Sequence, residues 1–271
     1  MTQVTAPFSS RIELPAVFAL RTGFAGKLPM AIVDLANPSR FLKVADGAIP
    51  WLAGATVLAG AFALQQAMAA PDDYQQGATV KIMYLHVPSA WLGMLCWGLM
   101  TLAALGTLVW RHPLADVIAK AAAPIGAAFT LLCLVTGSLW GRPEWGTYWV
   151  WDARLTSELV LLLLYLAVIA LWRTVDDPSR AARAVAVLTL VGAIDLPIIK
   201  FSVDWWNTLH QGASVFRVGG STIYPTILMP LFFMTGAFTL LFVTLLLAAA
   251  RNEILRRRVR TLQLMQAKAA S

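Results

Sequence analysis

Two histidines and a run of tryptophans are the residues of this chain best suited to hold a ligand. His86 stands in Met83-Tyr-Leu-His86-Val-Pro88 and His210 in Trp205-Trp206-Asn-Thr-Leu-His210-Gln-Gly, while Trp140, Trp145, Trp149 and Trp151 are packed into one short stretch. Neutral imidazole is a good ligand for haem iron, and two facing imidazoles fill both axial positions. A lone interfacial histidine more often only forms hydrogen bonds; two on one face, flanking an aromatic run, point to ligation. Pro88 suits the first turn of a helix and so places His86 at a helix start. His112, in Arg111-His-Pro, reads as structural.

The stretch from Trp140 to Thr156 adds Tyr148 to the four tryptophans and interleaves them with Gly141, Gly146, Pro143, Asp152 and Arg154. Such a segment reads as a folded apolar platform whose flat faces suit a large planar ligand at a membrane surface. An aromatic belt is the other reading, since tryptophan favours the headgroup level, but a belt needs only one or two at each helix end. Arg142, Arg154, Lys81 and Arg217 are available on the same side to meet ligand carboxylates, although Arg154 could instead pair with Asp152. Cys96 and Cys133 form no Cys-x-x-Cys pair, which argues against redox chemistry and against covalent haem attachment to this chain.

The elements that must position these residues are membrane spans. With 59% apolar and 13% charged residues and a mean hydropathy of +0.69, the 271-residue chain has too little polar surface for a water-soluble globule. A span needs roughly 20 mostly apolar residues, and six stretches qualify: 49–70, 87–110, 121–140, 156–172, 184–203 and 223–250. Sixteen of the 21 Lys and Arg fall on the side that holds both termini, which places both termini in the cytoplasm and the tryptophan-rich loop, between helices 3 and 4, in the periplasm. The expected fold is an all-α polytopic membrane protein with a cytoplasmic N-terminal extension over 1–43, a six-helix domain over 44–250 and a basic cytoplasmic tail over 251–271. No cleavable secretory signal is expected near the start. The net charge of +7 sets orientation and does not point to nucleic acid. No glycine-rich phosphate loop is present, so ATP hydrolysis would have to come from a partner. Two charges fall inside the fifth span: Lys200 can reach outward, and Asp195 is either a packing residue or part of a proton path.

The run from Trp140 to Thr156 resembles the tryptophan-rich "WWD" signature of haem-handling membrane proteins in bacterial c-type cytochrome maturation. Its companions, Met83 to Pro88 and Trp205 to Gly212, resemble the two histidine-bearing segments of the smaller members, the maturation protein C (CcmC, haem exporter protein C) family. The resemblance covers roughly residues 40 to 250. It implies a non-enzymatic haem-delivery component of the bacterial inner membrane that holds haem b (iron protoporphyrin IX) at its periplasmic face. The axial iron ligands carry over to His86 and His210, and the loop contacts to Trp140, Trp145, Trp149, Trp151 and Asp152, with Arg154 beside them. The partners it implies are the periplasmic haem chaperone CcmE, the ABC-type ATPase CcmA and permease CcmB, and the small single-span subunit CcmD. A haem lyase attaching haem to apocytochrome, and a permease subunit moving haem or another small molecule, are the alternative functions.

Overall fold

The computed structural model describes residues 37–270, so most of the extension expected over 1–43 lies outside the described residues. Among the described residues the protein is helical, and its only extended pairing is an isolated bridge between Asp73 and Gly77. The helices are α1 (Pro38–Ala69), α2 (Met83–Leu108), α3 (Ala115–Trp145), α4 (Ala153–Thr174), α5 (Pro178–Gly192), α6 (Asp195–Trp205) and α7 (Pro225–Ala270), with a 3-10 turn (Ala78–Ile82) leading into α2. Among the described residues six helical stretches are long and apolar enough to cross a membrane, α5 and α6 together making the fifth. The expected all-α polytopic architecture is what forms.

Local chemistry fixes where several helices begin. Asn37 accepts a hydrogen bond from the Ser39 amide (2.9 Å) with Pro38 in the first turn, and Asp177 does the same for the Arg180 amide (2.7 Å) ahead of Pro178. Bonds from Ser179 and the Arg180 amide hold the exposed Asp177 carboxyl below its ordinary pKa. α4 is capped by Asp152, whose Oδ1 accepts from the Leu155 amide at 2.8 Å.

The fifth span differs from the single helix expected over 184–203. Pro197 has no N–H to give the Ala193 carbonyl, and the Leu196 amide takes that carbonyl instead at 3.2 Å, an i to i+3 bond that tightens the chain between α5 and α6. Asp195 opens α6 just past this break, buried, with Oδ2 lacking a hydrogen-bond partner among the described residues; Lys200 is exposed.

Packing follows residue size. In the main core the Trp97 and Tyr165 rings meet edge to face at 4.8 Å, the Trp97 indole donates to the Thr189 carbonyl (3.2 Å) and the Tyr165 hydroxyl to the Gly93 carbonyl (2.7 Å). Both rings are wholly buried because glycines face them: a Cβ at Gly126 would sit 2.3 Å from the Tyr165 hydroxyl and one at Gly192 2.6 Å from Trp97. A second core joins α1 and α7 to the start of α2, where the Tyr84 hydroxyl donates to the Ile227 carbonyl at 3.0 Å. The outer surface exposes Trp51, Leu58, Leu102, Trp110 and Ile194, a wall suited to hydrocarbon.

Candidate functional site

Three connections, 71–86, 141–155 and 204–222, which fall on the side expected to face outward, converge at one end of the bundle, around a cleft of about 290 Å³. Gln76 reaches it from the first, Trp149 from the second and His210 from the third, while His86 approaches from the first turn of α2. Six of the eight expected site residues line it: His86, His210, Trp140, Trp145, Trp149 and Arg154.

Trp145 joins Trp140 on a helix and does not belong to the loop. α3 runs on past residue 140 to Trp145 and stops at Gly146, whose φ of 76° is the left-handed conformation that glycine adopts without strain; its amide bonds back to the Arg142 carbonyl at 3.1 Å. The Arg142 guanidinium closes over the same turn, bonding the Gly146 carbonyl and covering the Tyr148 ring at 5.6 Å. Arg142 therefore staples the turn and does not line the cleft. Trp140 and Trp145 are held rigidly on the end of α3, each beside one histidine: His86 meets Trp140 at 5.8 Å and 80°, and His210 meets Trp145 at 6.4 Å and 57°.

The two imidazoles are oriented alike. His86 Nδ1 lies 3.0 Å from the Cys133 carbonyl and 3.2 Å from Thr136 Oγ1, and His210 Nδ1 lies 2.9 Å from the Gln211 carbonyl. A carbonyl only accepts, so each Nδ1 carries the proton and each Nε2 keeps a free lone pair, the arrangement by which a backbone carbonyl orients a metal-ligating histidine. Gly137 makes room for the first ring, since a Cβ there would lie 2.8 Å from His86 Cε1. Burial, and then the nearby Arg154 guanidinium, hold the His210 pKa below its ordinary value and so favour the neutral form, the one in which an imidazole can bind a metal.

Asp152 supports the site without lining it. Its Oδ1 caps α4, and its Oδ2 accepts from the Thr208 hydroxyl, whose oxygen in turn accepts from the His210 amide at 3.0 Å. The aromatic segment and the His210 segment are tied through this one carboxylate. Arg154 does not pair with Asp152; it donates to the Ile199 carbonyl on α6. Trp151 is 75% exposed, outside the cleft, and packs edge-on against Trp149 at 5.4 Å. Lys81 pairs with Asp72 (3.3 Å) and Arg217 is exposed, neither at the cleft. His112 is structural, its Nδ1 accepting from the Leu114 amide at 3.3 Å.

Several buried polar atoms around the cleft have no hydrogen-bond partner among the described residues: the indole N–H groups of Trp140 and Trp149, Gln76 Oε1 and Glu158 Oε1. Buried polar groups are nearly always satisfied, so this set marks where a polar ligand edge belongs. Gln76, Glu158, Gly137 and Thr208 carry no motif. Only the position of Glu158, one helical turn beyond Arg154, could have signalled its place on the same face of α4.

A family profile described as heme exporter protein C matches residues 31–265. The chain belongs to the heme exporter protein C family. It is 73% identical over 238 residues to a heme exporter protein C of Bradyrhizobium diazoefficiens, covering 88% of this chain and 90% of the relative. Identity is 49% over 223 residues to that of Escherichia coli K12 (82% and 90%) and 42% over 234 residues to that of Paracoccus denitrificans (86% and 97%). Every cleft residue falls inside the region matched by the heme exporter protein C profile.

The Asp152 bridge gives a prediction. Asp152→Ala removes a helix cap worth about 1 kcal/mol together with the tie to Thr208, and should weaken ligand retention about tenfold, the usual effect of losing an orienting partner. Asp152→Asn, which keeps one oxygen to cap the Leu155 amide and presents an NH2 whose hydrogen bond the Thr208 hydroxyl oxygen can accept, should retain most of it. Equal loss in the two variants, measured as ligand bound per purified chain, would rule out the hydrogen-bonding role.

Proposed function

We propose that this chain binds haem b as cargo in the cleft, with His86 and His210 as the two axial ligands, and presents it to a periplasmic haem chaperone, CcmE, during c-type cytochrome maturation. The observation that carries the reading is the matched pair of imidazoles, each with Nδ1 tied to a carbonyl and Nε2 free, each beside a tryptophan fixed on the end of α3. Among the described residues no group of three or more His, Cys, Asp or Glu side chains is placed to hold a metal ion. Two imidazoles alone suit an iron whose other four ligands come from a porphyrin. The Trp140 and Trp149 indoles supply flat apolar contact together with N–H donors, and Arg154 has donors left beyond the one used on Ile199; these groups fit the haem propionates.

In this mechanism the chain makes and breaks no covalent bond. It desolvates the porphyrin, holds both imidazoles neutral and fixes their planes through the Cys133, Thr136 and Gln211 contacts. Thr208 and Asp152 keep the His210 segment against the aromatic segment, so release is a matter of separating two loops. ATP hydrolysis is assigned to partner subunits, CcmA with CcmB, and CcmD completes the assembly. The excess of Lys and Arg at the opposite end of the bundle supports a periplasmic cleft in the bacterial inner membrane.

The test is the haem spectrum of the full chain purified with its co-expressed partners. Bis-histidine ligation gives six-coordinate low-spin ferric haem by electron paramagnetic resonance and magnetic circular dichroism. A five-coordinate high-spin signal, or a thiolate signature, would overturn the assignment.

A further inference from the structure

A second cavity, of about 460 Å³, opens at the end of the bundle opposite the cleft, between the start of α3, the end of α4 and the stretch of α7 around Glu253. Its floor is a single buried carboxylate. Glu253, with a side chain 6% exposed, accepts from Lys120 (2.8 Å), Arg257 (2.9 Å) and Arg256 (3.1 Å). Arg173 lies on the rim and Lys120 also faces the Trp172 ring, 5.2 Å from its centroid. The lining thus sets Lys120, Arg173 and Arg256 against one anion and carries net positive charge. Trp172 adds an indole N–H that is buried and has no acceptor among the described residues, which calls for an oxygen from outside the chain. Apart from Asn252, the rest of the wall, including Ile169 and the exposed Pro124, is apolar.

We propose that this groove is a binding site for an anionic phospholipid, the phosphate meeting Lys120, Arg173 and Arg256 and an acyl chain lying along the apolar wall. A basic pocket between spans on the side richer in Lys and Arg is the usual setting for an anionic headgroup, and charge complementarity selects that occupant over a zwitterionic lipid. The apolar wall selects a lipid over free phosphate, which would use the cations alone.

The experiment reconstitutes the full chain into nanodiscs of phosphatidylcholine containing one-fifth phosphatidylglycerol and measures, by mass spectrometry after detergent extraction, which lipids stay bound. The wild-type chain should retain phosphatidylglycerol enriched at least fivefold over its share of the bilayer, and millimolar inorganic phosphate should not displace it. Arg173→Gln/Arg256→Gln, which leaves the Lys120–Glu253 pair in place, should abolish the enrichment, and Trp172→Phe should lower it at least twofold while keeping the ring under Lys120. The proposal is overturned if the wild type shows no preference for the anionic lipid, as when a partner helix is the true occupant. Displacement by phosphate, or enrichment unchanged in both variants, would overturn it equally.

Discussion

His86→Ala and His210→Ala should each lower the haem retained by the purified chain at least about tenfold, since loss of an orienting partner alone costs that much in metal sites, and leave the residual haem five-coordinate and high-spin. The two losses have different structural consequences. His86 sits against α3, bonded to the Cys133 carbonyl and Thr136 and packed over Gly137, so its removal leaves a walled space into which free imidazole can diffuse. His210 lies on a segment held by its amide bond to Thr208 and its ring bond to Gln211, and that segment has no helix to keep its shape. Added imidazole should therefore restore six-coordinate haem to His86→Ala more fully than to His210→Ala. Full haem content and an unchanged spectrum in both variants would remove the bis-histidine proposal altogether.

The largest effect on stability should come from Gly126→Ala. The added Cβ would meet Tyr165 at 2.3 Å, at a ring fully buried between α2 and α3, so the ring must shift and the bond from its hydroxyl to the Gly93 carbonyl is lost. Overpacking costs about 1–3 kcal/mol and an orphaned buried hydroxyl about as much, which together lower the Tm of a chain this size by about 10 °C. Tyr165→Leu should absorb most of the added methyl. If Gly126→Ala destabilises the Tyr165→Leu background as strongly as the wild type in thermal unfolding in detergent, the collision with Tyr165 is not the cause.

Spans were legible because hydrocarbon imposes a length and a composition that need no tertiary information, and six runs met both. Their ends were less so. Trp140 closed the expected third span and Trp145 read as a loop residue because glycine and proline surround it, yet α3 continues through Pro143 to the Gly146 turn and fixes both indoles on a rigid element. The break between α5 and α6 required tracing which donor Pro197 removes from the Ala193 carbonyl. His86, His210 and most of the aromatic run stood out by residue type. Gly137, Thr208 and Glu158 did not, since their roles exist only once α2, α4 and the His210 segment are brought beside α3. Trp151 shows the converse, sharing the run's composition while facing outward.

α7 carries a mechanical consequence. Its 46 residues make a rod of about 69 Å, more than twice the roughly 30 Å of hydrocarbon. Glu253 with Lys120, and Arg257 with Asp116 at 2.7 Å, clamp the rod to α3 near the point where it leaves the bundle. Those ion pairs form a fulcrum: the arm beyond Glu253, which Arg258 ties to Ser39, is roughly 25 Å long and the arm toward the cleft roughly 40 Å. A few degrees of tilt imposed on the short arm would be magnified at Pro225, where the rod meets the segment that carries His210.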